Sequence, residues 1–67
     1  MKPEFPIYAI HSNGEKEIME TTEEIEMELE WFDTSDNDSI MIYDNQNRPV
    51  HLKVEALKLL IFELVKQ

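Results

Sequence analysis

The spacing of apolar and polar positions changes several times along this chain, and each change predicts an element. Ile7, Tyr8 and Ile10 are strand formers just behind Pro3 and Pro6. Proline is tolerated at strand starts and edges, so FPIYAIHS at 5–12 reads as a first strand. Asn13-Gly14 follows, a hairpin signal because both residue types accept positive φ. The run EKEIME at 15–20 then returns as a second strand.

The stretch EIEMELEW at 24–31 alternates glutamate with apolar residues for eight positions. Period two is strand-like. However, glutamate is a poor strand former, and a single face would carry a row of like charges. Thr21 followed by Glu24 makes a capping-box signature, and Glu23 and Glu24 suit the positive end of a helix. A helix over 22–32 places Ile25, Leu29 and Phe32 on one face, with Met27 and Trp31 as a second pair beside it. The helix is the preferred reading, and it carries Glu26 and Glu30 on one flank and Glu24 and Glu28 on the other. The core edge and a partner surface are both open roles for Trp31 and Met27, while Phe32 is expected in the core.

DTSDNDS at 33–39 is turn-rich and reads as a loop. IMIYD at 40–44 is a third strand, with Ile40 and Ile42 on one face and Met41 and Tyr43 on the other. After the turn NQNR, the run VHLKVE alternates cleanly, with Val50, Leu52 and Val54 inward. The tail at 56–66 fits a two-sided apolar strand or a helix apolar on several sides. The strand is preferred, partly because no capping residue precedes the run. The order is therefore β-β-α-β-β-β, an α+β domain with a single helix packed on a small antiparallel sheet. The strands are apolar on both faces and one helix covers only one of them. A homodimer packed sheet to sheet is expected on that ground, unless the sheet curls around the helix.

Length and composition narrow the class. Sixty-seven residues suit one domain, and a chain this short buries only ~60% of its unfolded surface. The absence of cysteine removes disulfides and thiolate zinc sites as supplements, which strengthens the expectation of a partner subunit. MKPEFPIY lacks the apolar core of a signal peptide, and no apolar run is long enough to span a membrane, so a cytoplasmic location is expected. The net charge is −9, and no Lys or Arg lies between Lys16 and Arg48. Such a field repels nucleic acid and anionic lipid and favours a basic protein partner.

Signs of chemistry are few. One glycine does not make a phosphate-cradling loop. Ser12, Ser35, Ser39, His11 and His51 lie in no nucleophile context, so no enzymatic activity and no cofactor is expected. Asp36 and Asp38 fit the first and third positions of a calcium loop, but Ile40 fails the fifth and Met41 replaces the glycine. A weak metal-binding module is thus a remote alternative.

Three motifs recur together: NGE between two strands, TxEEIExxLExFD at 21–33, and YDxxxRPVxLxVE at 43–55. In that order they resemble small acidic uncharacterised bacterial proteins, some of immunity-protein type. The resemblance spans nearly the whole chain and rests on turn and cap signals. Asn47 stands where a glycine is the common residue in a turn such as DNQNRP, and asparagine also tolerates that conformation. The resemblance implies a non-enzymatic immunity- or antitoxin-like module. The acidic helix and the loop after it are the expected contact surface for a basic protein, with Glu26, Glu30, Trp31, Asp33, Asp36 and Asp38 as the partner-binding residues. A structural homodimer of other role is the alternative.

Overall fold

Two three-stranded antiparallel sheets and one short helix make up the fold, an α+β arrangement in the expected order with one small strand added after the helix. The computed structural model describes residues 2–36 and 39–65. Strands β1 (Ile7–His11) and β2 (Lys16–Met19) form the first hairpin, and β4 (Ile40–Tyr43) pairs with β1 on its other side. The second sheet has the order β3-β5-β6, from Phe32–Asp33, Val50–Glu55 and Lys58–Leu64. The single sheet expected from the sequence is thus split in two. Strands β4 and β5 stay together only at their shared turn, through a bridge between Tyr43 and Pro49.

The first hairpin closes with three residues between His11 and Glu15, where the His11 N–H donates to the Glu15 carbonyl at 2.8 Å. Of Asn13 and Gly14, only Gly14 takes a positive φ, at 92°. The Asn13 side-chain oxygen accepts from the Glu15 N–H, so asparagine serves through its side chain rather than through an unusual backbone.

Helix α1 runs over Thr22–Glu28, four residues shorter than the sequence suggests. Its start is the expected one: Thr21 Oγ1 accepts from the Glu24 N–H at 3.1 Å. At its end, Leu29 leaves helical geometry while its N–H still bonds to the Ile25 carbonyl. No basic residue stands in the last turn to favour the negative end of the helix dipole, and Glu28 and Glu30 oppose it. Phe32 gains more as a strand residue. It pairs with Val54 and is buried in the core, as expected of it, but from β3 rather than from the helix.

The tail is a strand, which resolves the alternative left open by its composition. Its uneven apolar spacing has a structural cause. Ile61 pairs with Lys53 and Leu59 with Val54, so Leu60 bulges out of the ladder and is exposed. The bulge shifts the facing set, and Leu59, Phe62 and Leu64 all pack against the core.

That core joins Ile7, Ala9, Met19 and Ile42 of the first sheet to Val50, Leu52, Val54 and Phe32 of the second, with Ile25 and Leu29 between them. The helix touches both β2 and β6. The outer face of the first sheet carries Tyr8, Ile10, Ile18, Met41 and Tyr43, and Ile18 and Met41 are 56% and 53% exposed.

Candidate functional site

The region around Trp31 begins with the end of α1. Because the helix stops at Glu28, residues 29–31 form a turn that drops Leu29 and Phe32 into the core and leaves Trp31 pointing out. Trp31 is 69% exposed and Met27 73%, so neither caps the core edge. Soluble domains scatter single exposed apolar residues freely, but an exposed tryptophan beside concave surface is a recurrent binding anchor.

Two open grooves flank the indole. One, of about 260 Å³, is lined by Trp31, Phe32, Asp33, Asp36, Lys53, Val54 and Glu55. The other, of about 330 Å³, runs between Glu28, Leu29, Glu30, Trp31, Phe32 and Ile40. Each has apolar walls and a carboxylate rim. The one cation among these lining residues is Lys53, and it lies 4.0 Å from Asp33 and 3.8 Å from Glu55. The rim therefore keeps its negative sign.

The six residues expected to meet a partner separate into distinct roles. Glu30, Trp31 and Asp36 are exposed around the grooves. Glu26 is not free for a partner, because its Oε2 accepts the Leu59 N–H at 2.8 Å and ties the helix to β6. Nor does it share a helical flank with Glu30, which lies beyond the helix end. Asp33 closes its own turn, with Oδ1 accepting from the Ser35 hydroxyl at 2.6 Å and the Ser35 N–H at 2.9 Å. Those two bonds, the hydroxyl first, hold its pKa below the ordinary carboxylate value, with smaller help from Lys53 and His51 against some desolvation. Asp38 lies outside the described residues. Among the described residues, no three His, Cys, Asp or Glu side chains converge to hold a metal ion. His51 is half-buried, with Nδ1 3.2 Å from the Thr34 hydroxyl.

The polar group most deeply engaged is one that sequence reasoning passed over. Asp44 is fully buried. Its Oδ1 accepts from the Gln46 and Arg48 N–H groups, and its Oδ2 from the Glu4 N–H and from Arg48 Nε and Nη2. Burial is the largest influence and pushes its pKa up. The Arg48 side chain, the Arg48 and Glu4 N–H groups and the Arg48 charge together outweigh it and bring the value down to about 2. The same turn holds the N-terminal segment, as the Asn45 N–H donates to the Glu4 carbonyl and the Asn45 amide to the Phe5 carbonyl. Phe5 in turn packs against Phe62, with the ring centroids 5.5 Å apart and the planes tilted by 34°. A short-range signal existed in Asp-x-x-x-Arg-Pro, since Asp readily bonds backbone N–H groups a few residues on. The reach to Glu4, forty residues away, had none.

Fold and surface define a small α+β domain with an exposed tryptophan set in an acidic rim. Comparison with protein-family models, curated proteins and solved structures finds no match to the chain. Among the described residues, no helix is long and apolar enough to cross a membrane.

Proposed function

We propose that this protein is a non-enzymatic interaction module that docks a basic protein surface at the Trp31 end, in the manner of an immunity or antitoxin protein. The observation that carries this reading is the 69% exposed Trp31 between two apolar-walled grooves rimmed by Glu28, Glu30, Asp36 and Glu55. An apolar anchor ringed by one sign of charge suits a partner that inserts an aliphatic or aromatic side chain and surrounds it with Lys or Arg. Exposed charges are screened by salt, so binding weakens steeply as ionic strength rises.

Trp31 is the sole tryptophan, so its emission reports this site alone. The test is retention of a basic protein from the native host at low salt, followed by titration of the purified partner against Trp31 fluorescence. A blue shift that a paired E28Q/E30Q change removes, together with loss of retention of the partner by W31A, supports the reading. Binding that leaves Trp31 emission and salt dependence untouched refutes it.

A second reading concerns self-association. The outer face of the first sheet exposes Ile18 and Met41 beside Tyr8, Ile10 and Tyr43. Its one charged member is Lys16, whose Nζ lies 4.4 Å from the Tyr8 ring centre. In a chain of net charge −9 this carboxylate-free face is the place where two copies approach without repulsion. Sedimentation from micromolar to millimolar protein tests it. A single-chain mass throughout rules out the homodimer.

A further inference from the structure

A groove of about 430 Å³ lies where β4 and β5 part company. It is lined by Thr34, Ile40, Met41, Ile42, Tyr43, Pro49 and Val50. Strand β4 is an edge strand of its sheet. The direction of its free backbone groups follows from one bond. The Asp44 N–H donates to the Arg48 carbonyl, so it points toward β5. In an antiparallel ladder the main-chain groups alternate sides, so those of Ile42 and Ile40 point the same way. The Tyr43–Pro49 bridge occupies the turn end of this edge. Beyond it, no described strand lies beside Ile40 and the Ile42 N–H. An apolar groove thus runs along a strand edge that, among the described residues, no strand covers beyond the Tyr43–Pro49 bridge.

The geometry points to strand addition at this edge. An extended segment of the partner, apolar at alternate positions and carrying Lys or Arg at one end, pairs with β4 as a further strand of the β2-β1-β4 sheet. Backbone bonds to an open edge supply affinity in this mode, and pockets for alternate side chains supply selectivity. Four residues of β4 span roughly 13 Å, enough for a segment of four or five residues. The basic end follows from continuity: Ile40 lines both this groove and the one formed with Glu28, Glu30 and Trp31. The segment's apolar part lies along β4 while its cationic end meets that rim. This inference rests on the docking reading above and assigns the partner's form to it.

The test uses three capped synthetic peptides on the intact protein. The first has alternating valine and threonine followed by two lysines, so that antiparallel pairing with β4 brings the lysines to the Ile40 end. The second is identical but N-methylated at alternate valines, which keeps charge and side chains but blocks pairing. The third lacks the lysines. Amide hydrogen exchange at Ile40 and Ile42 is read together with Trp31 emission. The first peptide is expected to slow exchange at Ile42 at least tenfold and to shift Trp31, and the N-methylated one to bind at least tenfold more weakly. Equal, salt-sensitive binding of the first two, with no protection of Ile42, overturns strand addition while the acidic docking reading stands. Protection of Ile42 by the first and third alike, without a Trp31 shift, removes the cationic end and the docking reading with it. Concentration-dependent protection without any peptide makes a second copy the occupant and overturns the proposal. So does absence of binding by all three at millimolar concentration.

Discussion

Replacing Asp44 by Asn removes a buried charge but keeps an oxygen acceptor of similar shape. The carboxylate pKa falls from an ordinary 3.8 to about 2 in the folded protein. At roughly 1.4 kcal/mol per unit, the ionised form contributes on the order of 2 kcal/mol to stability. The sign is that of a depressed acid. The contribution is fully present above the unfolded pKa of 3.8 and is lost as pH falls through about 2. A domain of this size has only a few kcal/mol in total, so the substitution removes a large part of it. Urea unfolding of wild type and D44N at pH 7 and again near pH 2 measures the effect. Far-UV circular dichroism is the proper signal, because the exposed Trp31 changes environment little on unfolding. Every other carboxylate is common to both proteins, so the difference between them isolates Asp44. The stability gap is expected to be about 2 kcal/mol at pH 7 and to close by more than half near pH 2. A gap that is equal at both pH values, or below about 0.5 kcal/mol at pH 7, would refute the view that the Asp44–Arg48 ion pair and its backbone donors stabilise this turn.

Three further outcomes follow from particular contacts. Ala56 and Leu57 both adopt left-handed backbone, with φ of 53° and 63°, in the two-residue turn between β5 and β6. Asn-Gly there relieves about 1–2 kcal/mol per residue and loses little packing, since Leu57 is 52% exposed. The double variant should melt at least 4 °C higher in a calorimetric scan, and an unchanged or lower midpoint refutes the strain argument. Glu26→Ala leaves the Leu59 N–H without its acceptor and is expected to cost about 1 kcal/mol in urea unfolding, whereas Glu26→Gln retains most of it. Equal losses would place the effect in charge rather than in the bond. Trp31→Ala should change stability by less than about 0.5 kcal/mol, while Leu52→Ala, fully buried, costs roughly 2–5 kcal/mol. A W31A loss comparable to that of L52A would make the indole structural and remove it from the proposed binding surface.

Local rules carried most of the fold in this chain, and its departures have local causes too. The α+β class, the Thr21 cap, the inward set Val50, Leu52 and Val54, and the left-handed Asn47 all followed from patterns within a few residues. One error and one ambiguity came from treating a pattern as continuous. The stripe Ile25–Leu29–Phe32 is real as a set of core residues, yet it spans a helix end and a strand start, because packing against Val54 outweighs helix propensity at Phe32. In β6, one bulged residue, Leu60, turns a period-two strand into a run that mimics a helix apolar on several sides.

The candidate site was legible in composition but not in geometry. Fifteen acids made an acidic surface certain, but not which of them fold the chain. Glu26 and Asp33 look the same in sequence as Glu30 and Asp36, and only the three-dimensional positions of Leu59 and of the Ser35 turn separate the first two from the second. The same holds for Asp44, whose burial depends on the N-terminal segment crossing the 44–48 turn. In an acidic chain, carboxylates that accept backbone N–H bonds are withdrawn from the surface field. What remains around Trp31 is a smaller and more directed rim than the charge count implies, made by Glu28, Glu30, Asp36 and Glu55.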